Sequence, residues 1–84
     1  MLAIGNVVLK ESDIRHIISE TVSMIDADAL AANSEFADVN IDSLDHWSIL
    51  LALQERFGLV VPDQDLERTT SIKKILAYAA EQNV

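Results

Sequence analysis

The chain has no cysteine, a single proline, and two glycines among its 84 residues. Without cysteine there is no disulfide, no thiolate metal site and no cysteine nucleophile, a usage that fits a cytoplasmic protein. So little glycine and proline, with no low-complexity stretch, argues against a disordered chain. No apolar run approaches the length of a membrane span. The apolar start, Met1 to Leu9, lacks a basic region and a small-residue cleavage site, so no signal peptide is expected. Half the residues are apolar, enough for one core in a single domain, 1–84, with that core over about 12–80. A monomer is expected.

Positive charge is also scarce. Net charge is −8, and no Lys or Arg lies between His16 and Glu55. That stretch holds eight acids: Glu20, Asp26, Asp28, Glu35, Asp38, Asp42, Asp45 and Glu55. Nucleic acid is not expected as a ligand, because nothing there would neutralise phosphates. A one-signed surface suits electrostatically steered docking onto basic partners, and it also serves simply as a solvated face that aids solubility.

The apolar periodicity is helical. Ser12-Asp13 forms a helix start, and Ile14, Ile17, Ile18, Val22 and Ile25 define one buried face that fades by Ile25 to Asp28. A long connection, from about Ala27 to Asp42, keeps apolar anchors at Leu30, Phe36, Val39 and Ile41. A second helix is predicted from Ser43 to Phe57, with Trp47, Leu50, Leu53 (or Ile49) and Phe57 facing the core and Gly58 as its stop. Leu59-Val60-Val61 is too short and too alone to make a sheet. Asp63 caps a single turn, Gln64 to Arg68. Thr70 or Ser71 caps a last helix, with Ile72, Ile75, Leu76, Tyr78 and Ala79 inward and Lys73 and Lys74 outside. The fold class is therefore all-α, a small four-helix bundle of three longer helices and one short third helix.

Three groupings suggest chemistry. Asp38-Val39-Asn40-Ile41-Asp42 begins like a calcium loop. Counting from Asp38, however, the required glycine is Ser43 and the required bidentate glutamate is Ile49. Asp63-Gln64-Asp65 fails likewise, with Arg68 and Lys74 at those positions, so no metal site is expected. Ser43 and His46 share a helix face, but no glycine-rich elbow supplies an oxyanion hole, so a hydrolase is not expected. His46 reads as a solvent-facing histidine beside acids, and His16 as a helix-surface residue. The third grouping is Asp42-Ser43-Leu44-Asp45. If Asp42 caps the helix, Ser43 is its first residue and its hydroxyl is free. A phosphodiester there would sit at the positive end of the helix dipole. Asp42 and Asp45 would repel it, and make more sense as a docking mark for a cationic transferase.

In this setting the chain resembles acyl carrier proteins. Phe36-Ala37-Asp38-Val39-Asn40-Ile41-Asp42-Ser43-Leu44-Asp45 is similar to the stretch that leads into the family's D-S-L motif. Leu53-Gln54-Glu55-Arg56-Phe57-Gly58 resembles the end of its second helix, and Val61-Pro62-Asp63 its I-P-D turn. Thr70-Ser71-Ile72 with Tyr78 resembles its last helix, so the likeness runs from about Ser12 to Ala79. The resemblance implies a non-enzymatic carrier with covalent phosphopantetheine on Ser43. The arm's thiol would hold acyl, aminoacyl or polyketide groups as thioesters and pass them between enzymes. Implied partners are a phosphopantetheinyl transferase and acyl-loading and acyl-transferring enzymes with basic docking surfaces. They would meet Asp42, Leu44, Asp45, Ser48, Leu51 and Glu55, of which Leu44, Ser48, Leu51 and Glu55 recur at helical spacing.

The chain departs from the family at several points. Asn40 stands where glycine is usual, and asparagine tolerates a left-handed backbone. Ser48 and Gln54 replace acids, and Thr69 replaces an apolar contact. Trp47 replaces a smaller aliphatic residue and reads as a core filler, or as a plug in the space that would shelter a long acyl chain. These departures favour a specialised carrier over a general fatty-acid carrier. The alternative from another class is an unmodified acidic helical module that only binds a basic protein.

Overall fold

The computed structural model describes residues 8–83. Met1 to Val7, most of the apolar start where no signal peptide is expected, lie outside them. Three α-helices run α1 (Glu11–Thr21), α2 (Ser43–Phe57) and α3 (Ile72–Glu81), and a 3-10 helix, Asp63–Thr69, precedes the last. The described residues contain no strand, and the fold is the expected all-α bundle of three longer helices and a short third one.

Helix α1 starts earlier than Ser12-Asp13. Lys10 is the extended residue before it, and the Asp13 carboxylate reaches back to accept the Lys10 N–H at 3.0 Å. Asp13 thus satisfies a first-turn amide from inside the helix. The helix also ends sooner than Ile25 to Asp28. Thr21 and Val22 are both β-branched, and Val22 leaves helical geometry at φ −120° and ψ 84°. Asp26 then favours a new turn by accepting the Asp28 N–H. Ile14, Ile17 and Ile18 are buried against α2 and α3, Val22 remains in the core and Ile25 packs at its margin. Leu9 is buried too, so the core begins before residue 12.

Helix α2 spans its expected residues, and Gly58 stops it at φ +74° with its N–H on the Gln54 carbonyl at 3.0 Å. Beyond it, Val60 does find a partner. Its N–H donates to the Gln82 side-chain oxygen at 3.3 Å, and the Gln82 amide donates back to the Val60 carbonyl at 2.7 Å. One side chain does the work of a neighbouring strand. Asp63 was the expected cap of the short helix, but it is that helix's first residue and Pro62 precedes it. Proline lacks an N–H and is already extended, so it ends the Leu59–Val61 run and starts the turn. Ser71 caps α3, accepting the Lys74 N–H at 3.1 Å, while the hydroxyl of Thr70 goes to Glu35 instead. Ile72, Ile75, Tyr78 and Ala79 are buried and Leu76 lies at the core's edge.

Residues 22–42 connect α1 to α2 and are pinned at both ends. Near α1, the Arg15 Nη1 donates to the carbonyls of Ala27 and Leu30, both at 2.6 Å, while Glu11 holds the rest of the guanidinium. Near α3, the Phe36 N–H donates to the Thr70 carbonyl and the Lys73 N–H to the Ala32 carbonyl, each at 2.8 Å. Between these points Leu30, Phe36 and Ile41 enter the core and Val39 packs against it.

Arg15→Leu should cost about 2 kcal/mol, because two half-buried carbonyls lose a charged donor. Urea unfolding measures this, and faster amide exchange at Ala29 and Leu30 should accompany it. An unchanged urea midpoint would show that water replaces the guanidinium at no cost.

Candidate functional site

The start of α2 is fixed by Asp42. Its Oδ1 accepts the Asp45 N–H at 2.8 Å, and its carbonyl accepts the His46 N–H at 2.9 Å. Ser43 is therefore the first helical residue. It is exposed, and among the described residues its hydroxyl makes no hydrogen bond. The amides of Ser43 and Leu44 precede the intrahelical ladder and point outward at the positive end of the helix.

The approach to Ser43 is a tight turn. Phe36–Val39 forms one 3-10 turn, Asn40 takes φ 65° and ψ 27°, and the Ile41 N–H closes onto the Phe36 carbonyl at 2.9 Å. Asparagine thus supplies the left-handed residue that the turn demands, as expected from its short polar side chain. Phe36 and Ile41 are both buried, so the turn is anchored from below. A cleft of about 190 Å³ beside Ser43 is lined by Glu35, Phe36, Ile41, His46 and Thr70. A more open depression of about 490 Å³, reaching Asn40, adjoins it at Ala37, Ile41, Asp42 and Ser43.

His46 is not the solvent-facing residue its acidic neighbours suggest. Its ring is half-buried, edge-on to Phe36 at 5.4 Å between centroids, with Nε2 3.1 Å from the Thr69 Oγ1. The Thr69 hydroxyl donates to the Leu66 carbonyl at 2.9 Å, so its oxygen is left to accept from an Nε2–H. In the neutral imidazole this places the proton on Nε2. Burial lowers the His46 pKa, and a hydrogen bond with the Thr69 backbone only partly opposes that. Sequence reasoning missed this pair. The available signal was Thr69 itself, a hydroxyl where the family carries an apolar contact.

Trp47 requires the converse correction. It is 38% exposed and is not part of the core cluster. The inward residues of α2 are Ile49, Leu50 and Leu53, with Phe57 partly buried. Ile49, Leu50, Leu53 and Phe57 face the core as expected, and it is His46 and not Trp47 that completes their stripe. Apolar residues surround α2 on most sides, so periodicity alone did not choose between these two residues. Trp47 instead shares an outer face with Leu44, 71% exposed, and Leu51, 42% exposed. Ser48 is partly exposed and Glu55 exposed.

Charge is distributed unevenly around this face. Glu20 is paired with Arg56 at 2.8 Å and Glu35 with Lys74 at 3.0 Å. Hydrogen bonds from Thr70 and Lys74 hold the Glu35 carboxyl below its usual pKa. Among the described residues Asp38, Asp42, Asp45 and Glu55 have no ion-pair partner, so the start and outer face of α2 remain negative. His16, exposed as expected, sits 3.2 Å from Glu20.

A family model of the phosphopantetheine attachment site matches residues 12–79, which include most of α1, all of α2, the 3-10 helix and most of α3. The chain belongs to this family: it is a carrier domain that takes phosphopantetheine covalently and is not itself an enzyme. The start of α2 fits such a group. It offers a free, exposed hydroxyl, two outward amides for a phosphate, and open space beside it.

Two outcomes follow. Trp47 fluorescence should be quenched by aqueous iodide or acrylamide, and Trp47→Ala should cost less than the roughly 3–5 kcal/mol of a core aromatic. Full shielding with a core-sized loss would return Trp47 to the interior. Stability should also fall as pH drops through the ordinary imidazole range, near about 6.5. There the unfolded chain takes up a proton that folded His46 resists, and the loss ends once pH falls through the lowered folded pKa. Thermal unfolding of wild type and His46→Gln across that range tests this. The variant should lose that part of the pH dependence, and identical profiles would contradict the assignment.

Proposed function

We propose that Ser43 is the residue that receives phosphopantetheine, and that the arm's thiol carries its cargo as a thioester between partner enzymes. The observation that carries this is the Asp42 cap. By using the Asp42 carboxylate on the Asp45 amide, the helix leaves the Ser43 hydroxyl free, exposed and within the matched span. The chain's own part is positional. The capped helix holds the hydroxyl outward, and the rigid turn before it keeps the attachment point in place.

Partners would dock on the outer face of α2. Leu44, Trp47 and Leu51 supply contiguous apolar contacts, Ser48 lies between them, and Asp42, Asp45 and Glu55 supply the negative rim. The complementary surface is an apolar depression ringed by Lys and Arg. With Ser48 and Gln54 in place of acids, this face is less charged than a general fatty-acid carrier would present. The first reading of the cargo is therefore a specialised acyl, aminoacyl or polyketide group.

Incubation with coenzyme A and a broad-specificity phosphopantetheinyl transferase should add one phosphopantetheine to the intact mass, and Ser43→Ala should abolish the gain. Unchanged mass with several transferases, or full loading of the alanine variant, would remove the assignment and favour an interaction module without a prosthetic group.

A further inference from the structure

The cleft beside Ser43 stops at the His46 ring, and the same ring bridges three parts of the chain. It is carried by α2, lies edge-on to Phe36 of the long connection, and meets Thr69 at the end of the 3-10 helix. Beneath it the interior is closed. Phe36, Ile41, Ile49, Leu53 and Ile72 are all at most 2% exposed. Thr69 itself is fully buried, although it is polar. A group attached at Ser43 that entered the bundle between α2 and the 3-10 helix would have to part His46 from Thr69.

We propose that the His46–Thr69 hydrogen bond is a latch that keeps the carried group out of the bundle, so that this carrier selects short or polar cargo over long alkyl chains. The proposal rests on attachment at Ser43.

The argument is one of matched chemistry. Closed, the joint pairs both of its hydrogen-bond donors. The imidazole N–H has the Thr69 oxygen, and the Thr69 hydrogen has the Leu66 carbonyl. An alkyl chain wedged into the joint offers neither donor nor acceptor. It would leave the Nε2–H unpaired in an apolar setting, a cost that an apolar pair at these positions would not impose. The chain would also have to displace well-packed side chains, because the interior beneath is already filled. A short group meets neither obstacle, because it has little apolar surface to shelter and need not enter the joint. A polar group is solvated by water and gains nothing from the interior. Trp47 has no part in this selection. It lies outside, and the role its size suggested falls to the residue before it.

The test loads Ser43 enzymatically with amide-linked acetyl and dodecanoyl analogues of acyl-phosphopantetheine, with each product verified by intact mass. In the wild type, the Ile49, Leu53 and Ile72 methyl resonances should be the same in both forms, and dodecanoyl should raise the Tm no more than acetyl. In Thr69→Val, which removes the acceptor and nearly keeps the volume, dodecanoyl should raise the Tm above acetyl and shift those methyls. His46→Leu should do the same, and either variant suffices if the other folds poorly. Shifted core methyls in dodecanoyl-loaded wild type would overturn the latch while leaving attachment intact. So would equal stabilisation by dodecanoyl in wild type and variant. Failure of any mass gain would instead remove the attachment on which the latch depends.

Discussion

Everything at the functional end depends on how the connection over residues 22–42 is held. A free segment of that length would cost backbone entropy to order and would leave Ser43 at the end of a slack tether. Three kinds of contact prevent this. The Arg15 guanidinium gathers the carbonyls of Ala27 and Leu30 at 2.6 Å. Two backbone bonds of 2.8 Å join Phe36 and Ala32 to the entrance of α3. Leu30, Phe36 and Ile41 then bury their side chains among the helices. The connection therefore behaves as part of the scaffold, and the turn at Asn40 enters α2 in one orientation.

That orientation makes the Asp42 cap consequential. A cap normally stabilises its helix and does no more. Here it also frees the hydroxyl that follows, because the helix needs only one side-chain acceptor at this point. The two acids flanking Ser43 do nothing for a bound phosphate, and their value lies in the field they present. Of the chain's six Lys and Arg residues, Arg15, Arg56, Arg68 and Lys74 are engaged in ion pairs with Glu11, Glu20, Glu81 and Glu35. Such exposed pairs add little stability. Among the described residues they leave Asp38, Asp42, Asp45 and Glu55 unpaired at and before α2, and salt would screen that negative field from an approaching partner.

The joint between α2 and the 3-10 helix shows how a polar pair fits an apolar bundle. Thr69 is fully buried, yet its hydroxyl has both a donor role, to Leu66, and an acceptor role, from His46. His46 in turn stays neutral because burial disfavours its charged form. On the far side of the 3-10 helix, Tyr78 donates to Asp65 at 2.6 Å and Arg68 lies over the Tyr78 ring at 4.8 Å. The short helix is thus clamped to α2 on one side and to α3 on the other, and its position follows from side-chain chemistry more than from its own length.

The sequence by itself determined the elements whose signals are local. The span of α2 follows from Asp42 and Gly58, the start of α3 from Ser71, and the turn before the site from an asparagine able to adopt positive φ. The identity of Ser43 as a free hydroxyl was legible for the same reason, since capping involves residues within one turn. Only the tertiary structure decided whether His46 or Trp47 completes the inner face of α2. Leu50, Leu53 and Phe57 are compatible with either, and the choice fell to Phe36 and Thr69, which lie outside α2 and offer His46 an aromatic edge and a hydrogen-bond acceptor. Trp47 lies about 100° further round the helix, on the side of Leu44 and Leu51. The same long-range contacts explain why His46 looked solvated when read along the chain: its neighbours in sequence are acids, while its neighbours in space are a phenyl ring and a buried hydroxyl.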